Sequence, residues 1–183
     1  MTKKQRYIDR FWLIFKYLLI SIFIAFILRG FLFIPVPVEG NSMENVLSQG
    51  NMVVMEKISE IKRFDVIVFQ LSDGTIYIKR VIGLPGESIS YQDDQLRIDG
   101  KVVKEPFLMK NIRSDHENAA YTTDFNLQEL TGETKLPSDS YFVLGDNRRV
   151  SKDSRSFGTV SKADILGKAR FVYYPFDEIK WIK

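Results

Sequence analysis

The sequence predicts a mainly β protein: an antiparallel β-sheet body with a small β/loop insertion, preceded by one transmembrane α-helix. Three observations carry this expectation. Residues 11–34 are dominated by Phe, Leu and Ile. After Pro35 and Pro37 the pattern turns to short runs rich in Val, Ile, Phe and Tyr, at 52–56, 65–69, 75–82, 141–144 and 169–174. Gly50, Asp73-Gly74, Gly83, Pro85-Gly86, Asp99-Gly100, Gly145 and Gly158 punctuate those runs. Short strands separated by frequent turn signals read as a sandwich or barrel.

The first element is residues 1–34, a basic tail and an anchor. Its clean apolar stretch is 17–28, interrupted by Ser21 alone, whose hydroxyl can bond within a helix. Lys16 and Arg29 bracket the stretch and can snorkel to the two interfaces. With the flanks 11–15 and 30–34, the segment reaches the roughly 20 residues that a bilayer crossing needs. Lys3, Lys4, Arg6, Arg10 and Lys16 precede or open it, and the next Lys or Arg after Arg29 is Lys57. The positive-inside rule then predicts a cytoplasmic N-terminus and an extracytoplasmic body. A cleavable signal peptide shares the charged start and short apolar core. However, no small-x-small site follows, because the exit reads Phe31-Leu-Phe-Ile-Pro-Val-Pro-Val38. A buried core helix is a poor alternative, since this one is apolar all round with basic ends. The expected element is an uncleaved, single-pass anchor.

Residues 35–183 form the predicted body. The run 91–103, with Asp99-Gly100 inside it, reads as a hairpin. Residues 110–138 are polar, weakly periodic and hold the one His, His116. They read as an insertion or cap on the β core, within a variable stretch 90–138. His116 is expected at the surface.

Composition narrows the chemistry. The chain has 183 residues and no Cys. That excludes a disulfide framework, a thiol nucleophile, Cys-ligated zinc and iron–sulfur centres. A single His excludes the two-His zinc-protease motif. If the protein needs a general base, it is His116, a carboxylate or a lysine. The net charge of +3 is unevenly spread. Residues 1–34 hold six basic residues against Asp9, whereas the rest holds 20 basic and 22 acidic residues. The body is mildly acidic and lacks the basic stripe that nucleic-acid binding requires.

Three places in the body could carry chemistry. Ser42, in Gly40-Asn41-Ser42-Met43, follows the membrane exit; alone it reads equally as a turn former. In Thr75-Ile-Tyr-Ile-Lys-Arg-Val-Ile82, Tyr77 and Val81 flank Lys79 on one face of a strand, and Ile78 and Ile82 flank Arg80 on the other. Adjacent cations in a strand covered on both faces are costly unless paired or neutralised. An edge strand with both heads snorkelling is one solution. A desolvated Lys with a lowered pKa is another, and such an amine can activate a nearby Ser hydroxyl. Third, the polar segment 145–158 contains Asp146, Asn147, Arg148, Ser151, Asp153, Ser154 and Arg155. It reads either as a solvated loop or as a hydrogen-bonded network that fixes a site.

In this order, these pieces resemble the bacterial type I signal peptidases, in the short form with one N-terminal membrane helix. Ser42-Met43 matches the family's nucleophile box, and Arg63-Phe-Asp-Val-Ile-Val-Phe69 resembles its strand box. Tyr77-Ile-Lys-Arg-Val-Ile-Gly-Leu-Pro-Gly86 matches the general-base box, and 145–158 matches the box written Gly-Asp-Asn-x-x-x-Ser-x-Asp-Ser-Arg. The resemblance implies Ser42 as nucleophile and Lys79 as base, with Ser151 positioning the Lys79 amine. It implies Asp153, Arg155, Asp146 and Arg80 as supports, and Gly40, Met43 and Ile78 around the bound peptide. The Ser42 N–H would contribute to the oxyanion hole. The implied substrates are signal peptides of exported preproteins, with small residues before the cut. No metal or cofactor is implied; the bilayer is a partner, and the export machinery a further one. Two departures stand out. The nucleophile box usually continues Met-x-Pro-Thr, but here reads Met43-Glu44-Asn45-Val46. Some relatives carry a Ser oxyanion donor at the position of Gly40. The competing reading from the same resemblance is a non-catalytic assembly factor for surface fibres. A self-cleaving Ser–Lys repressor is disfavoured, because a membrane span rather than a DNA-binding module precedes the β body.

Overall fold

The structure, a computed structural model, describes residues 3–115 and 119–182; His116 lies outside them. The chain divides into two compact units, 1–34 and 35–183. In the first, helix α1 (Lys3–Leu32) is continuous. Within it, the 24 residues Lys4–Ile27 are long and apolar enough to cross a membrane, spanning about 36 Å at a helical rise of ~1.5 Å per residue. Ser21 Oγ donates to Tyr17 O at 2.9 Å, so the one polar group of the apolar stretch is satisfied inside the helix.

The body follows as β1 (Phe33–Pro37), β2 (Met52–Glu56), β3 (Val66–Gln70), β4 (Ile76–Gly83), β5 (Ile89–Gln92), β6 (Gln95–Ile98) and β7 (Lys101–Val103). Next come α2 (Met109–Ser114), β8 (Phe125–Asn126), α3 (Leu127–Thr131), β9 (Ser140–Leu144), α4 (Ser154–Phe157), β10 (Val160–Ser161), β11 (Ile165–Tyr174) and β12 (Lys180–Trp181). The larger sheet runs β1-β2-β11-β3-β4-β9-β10, with β12 on β11, and the smaller runs β7-β6-β5-β8. The pairings of the central strands β2, β11, β3, β4 and β9 are antiparallel, as the sequence leads one to expect.

Two apolar layers sandwich β4 and β9. On one face Ile82, Phe142 and Leu144 pack with Ile89, Tyr91, Leu96, Phe125 and Leu127 of the smaller sheet and its flanks. On the other face Ile67, Phe69, Val81, Tyr141, Val143 and Val160 form a second cluster. The period-2 alternation of β4 therefore sends Lys79 and Arg80 to opposite layers.

The expected hairpin over 91–103 is a three-stranded meander instead. Asp99-Gly100 does turn the chain, with φ of 48° and 77°, but Asp93-Asp94 makes an earlier turn, with φ of 50° and 58°. Paired positive φ values suit tight hairpin turns, and Asp tolerates them. The strand expected at 169–174 begins earlier, at Ile165. It changes neighbours along its length, meeting β3 over its first part and β2 over its second, with register shifts in both pairings.

Candidate active site

The site is built on a turn, a strand and a loop. Gly40 adopts φ of 74° and redirects the chain out of the extended 36–39 segment. The turn that follows is closed by Glu44 N–H to Asn41 O at 3.2 Å and Leu47 N–H to Met43 O at 2.8 Å. Met43 and Leu47 are spaced four apart, so both point inward and are buried. They pin the turn to the core and leave Ser42 half-buried beside β4. Asn45 has φ of 76°, a value closed to proline, whose ring fixes φ near about −65°. The absence of the family's usual Pro thus has a local backbone reason.

Lys79 sits in β4 opposite Ile67 of β3, between Tyr77 and Val81, and is 3% exposed. Its Nζ lies 2.6 Å from Ser42 Oγ and donates to Ile78 O at 3.1 Å. No ion pair to it is formed among the described residues. Burial lowers its pKa from 10.5 to about 8, against the opposite pull of the Asp153 and Asp146 charges. Arg80, on the other face, meets the alternative fate. Its Nε and Nη2 donate to Asp146 Oδ1 and Oδ2 at 2.8 and 2.6 Å, its Nη1 donates to Phe64 O, and its guanidinium lies over the Phe107 ring. One cation is neutralised by a partner; the other is desolvated beside a hydroxyl.

The 145–155 loop is a cross-braced network rather than a solvated turn. Asp153 accepts from Gly145 N–H at 3.1 Å and from Arg155 Nε and Nη2 at 2.9 Å each. Burial opposes its ionised form, but Arg155 and the Gly145 N–H outweigh that and hold its pKa below the usual carboxylate value. Arg148 Nε returns to Gly145 O, and Arg155 Nη2 to Arg148 O. Asn147 N–H donates to Ser42 O at 3.0 Å, which ties the loop to the turn that carries Ser42. Gly145 packs so closely that a Cβ there would stand 2.2 Å from Ser151 Oγ and 2.5 Å from Ser42 O. Ser151 Oγ is buried beside Gly145, and among the described residues no hydrogen bond joins it to Lys79.

Met43 and Ile78 line a groove of about 330 Å³, walled by 36–39 on one side and by Gly74, Thr75, Ile76 and Tyr77 on the other. Gly40 bends the chain at its end but does not line it. The sequence pattern singles out neither Asn111 nor Tyr121, both of which lie in the insertion. Asn111 Nδ2 donates to Glu44 O and to Asp146 O at 3.1 and 2.9 Å, and Tyr121 OH to Asp146 O at 3.0 Å. The insertion therefore ties the turn after Ser42 to the 145–155 loop. Polar residues in a weakly periodic segment that act through main-chain carbonyls leave no local sequence signal. Among the described residues no cluster of His and carboxylates is placed to hold a metal ion.

A Ser hydroxyl 2.6 Å from a buried amine whose pKa burial lowers has the arrangement of a nucleophile beside a base. The family described as signal peptidase, peptidase S26, matches residues 11–174. The chain is 43% identical over 162 residues to signal peptidase I V of Bacillus subtilis (strain 168), covering 86% of this chain and 95% of that protein. It is 42% identical over 182 residues to signal peptidase I of Bacillus caldolyticus, covering 97% of each. A crystal structure of a signal peptidase I from Enterococcus faecalis V583 superposes with a TM-score of 0.58 at 43% identity, covering 61% of this chain and 98% of that one. The match runs through the turn, the strand and the loop that converge on Ser42 and Lys79, and the chain belongs to the signal peptidase family, peptidase S26.

Proposed function

We propose that this chain is a membrane-anchored serine endopeptidase that removes N-terminal signal peptides from exported preproteins, with Ser42 as nucleophile and Lys79 as general base. The carrying observation is the 2.6 Å contact between Lys79 Nζ and Ser42 Oγ on an amine that burial brings to about 8. When the amine is neutral it accepts the hydroxyl proton over that distance, and Oγ attacks the scissile carbonyl. The resulting Lys79 ammonium then gives its proton to the departing amine as the acyl-enzyme forms. The neutral amine next takes a proton from water as its oxygen attacks the ester carbonyl, and Lys79 returns that proton to Ser42 Oγ as the C–Oγ bond breaks. The Ser42 N–H donates to no described group in the resting structure and is available to the oxyanion.

The peptide before the cut would lie extended in the groove between 36–39 and β4. Ile76, Tyr77 and Ile78 pair with β3 on one side, while β9 reaches β4 only from Arg80 onward. That leaves an open strand edge of the kind an added peptide strand uses. Met43 and Ile78 close the floor to large side chains. Asp153 and Arg155 hold the loop against Gly145, Arg80 and Asp146 lock β4 to it, and the resemblance of the 145–158 loop to the family's box gives Ser151 the role of receiving the Lys79 head once Ser42 is acylated. The basic tail faces the cytoplasm and the body the outer side of the membrane, where the anchor keeps the site at the bilayer and near the export machinery. The non-catalytic alternative is not favoured, since both members of the pair are present and in contact.

The test uses the detergent-solubilised chain and a secreted preprotein, with the product's N-terminus sequenced. Wild type is expected to cut at one bond preceded by small residues, and Ser42→Ala to be inert. Cleavage that persists in Ser42→Ala would remove the assignment.

Two further outcomes follow from the geometry. kcat/KM is expected to rise with pH through about 8, the value to which burial brings Lys79. At pH 6 only about 1% of such an amine is neutral, so the rate should be ~10²-fold lower than on the plateau. A profile that is flat from pH 6 to 9 would contradict the base assignment. Gly145→Ala would press a methyl group into the Ser42 carbonyl and the Ser151 hydroxyl. Shifts of ~1 Å in a reacting group cost about 10² in rate. A kcat loss of that order is expected, read alongside a melting curve showing that the variant remains folded.

A further inference from the structure

The turn that carries Ser42 walls two cavities. Met43 lines the groove described above, whereas Glu44 and Asn45 line a second cavity of about 390 Å³. Its remaining walls include Asn111, Asp115, Asn147 and Arg149. Asn147 links it to the nucleophile, since its N–H donates to Ser42 O and its side-chain amide donates to Glu44 Oε2 at 3.4 Å. A peptide whose scissile carbonyl lies at Ser42 Oγ must continue past that atom, advancing about 3.3 Å per residue when extended. The groove of 36–39 and β4 serves only the side before the cut.

Among the described residues the charges of the second cavity are unequal. Arg149 Nη2 donates to Asp115 Oδ2 at 2.7 Å and to Ala119 O at 3.0 Å, so these two opposite charges offset one another. Glu44 is exposed and forms no ion pair among the described residues. A carboxylate of this kind, at the mouth of a polar cavity, attracts a cation and repels an anion by a modest, salt-sensitive amount.

Building on the peptidase reading, we propose that this cavity is the subsite for the residues that follow the scissile bond, and that Glu44 makes it prefer a basic over an acidic side chain there.

The experiment compares three peptides identical up to the cut, with Lys, Gln or Glu at the second residue after it. kcat/KM is measured for wild type, Glu44→Gln and Glu44→Lys, and the readout is the Lys-to-Glu ratio within each protein, so a general loss of activity does not affect it. Wild type is expected to favour Lys by about 3- to 10-fold at low salt, a size typical of exposed charge pairs. Glu44→Gln should bring the ratio near one and Glu44→Lys should invert it, both effects shrinking at high salt. A wild-type ratio within about two-fold of unity, or one that Glu44→Lys leaves unchanged, overturns the subsite. If the Gln peptide is cut correctly while the ratio stays flat, only the subsite falls. If wild type cuts none of the three at any pH, the peptidase reading falls with it.

Discussion

Lys79→Met is expected to cut kcat by about 10²–10⁴ and, at pH 6.5, to make the protein more stable. The two effects share one cause. Lys79 is 3% exposed, and its pKa falls from 10.5 to about 8 because burial penalises the ammonium. Below pH 8 the lysine is charged in both folded and unfolded chains, and the folded state bears the cost, about 3 kcal/mol for such a difference in pKa. Between pH 8 and 10.5 the folded state sheds its proton first, so wild-type stability rises with pH across that window. Methionine fills a similar volume without a charge. The expected gain is about 1–3 kcal/mol at pH 6.5, or a few degrees in Tm, fading as pH approaches 10.5. Loss of the base removes about 10²–10⁴ in kcat. A lysine with a merely structural role would show the opposite sign: its removal would destabilise the fold at every pH.

The largest stability loss is expected at Asp146. Arg80 and Asp146 are both wholly buried, joined by two hydrogen bonds of 2.8 and 2.6 Å. Asp146→Ala leaves the guanidinium charged and buried with its main acceptor gone. Removing one partner of a buried ion pair costs about 3–5 kcal/mol, which in a chain of this size lowers Tm by ~10 °C or more. The double variant Arg80→Met/Asp146→Leu should recover most of that loss, because it removes the stranded charge. Thermal unfolding of the single and double variants checks both statements; a single-variant Tm within about 2 °C of wild type would contradict them.

The strand around Lys79 shows how far sequence reading reaches. Period-2 alternation puts Lys79 and Arg80 on opposite faces, and the cost of two buried cations requires that each be paired or neutralised. Which cation takes Asp146 is not local information. It depends on the register of β4 against β9, which sets Arg80 beside Leu144 and so beside the loop that follows. The nucleophile turn was legible as a turn, but the positive φ of Asn45 was not, since Asn also sits in ordinary turns. The Asp99-Gly100 turn carried a recognisable dipeptide, whereas the Asp93-Asp94 turn did not. Asn111 and Tyr121 are the clearest omission. Their partners are the carbonyls of Glu44 and Asp146, groups present at every residue and therefore invisible in a pattern of side chains.

The central claim is that Ser42 is made nucleophilic by the neutral amine of Lys79. Its most direct test is covalent. A peptide with small residues at its reactive end and a serine-directed electrophile in place of the scissile bond is incubated with the protein, and the adduct is mapped by mass spectrometry. A single adduct on Ser42 is expected, forming faster from pH 6.5 to 9 and absent from Lys79→Met. An adduct on Ser151 or elsewhere, or one that forms on Ser42 equally fast in Lys79→Met, would contradict it.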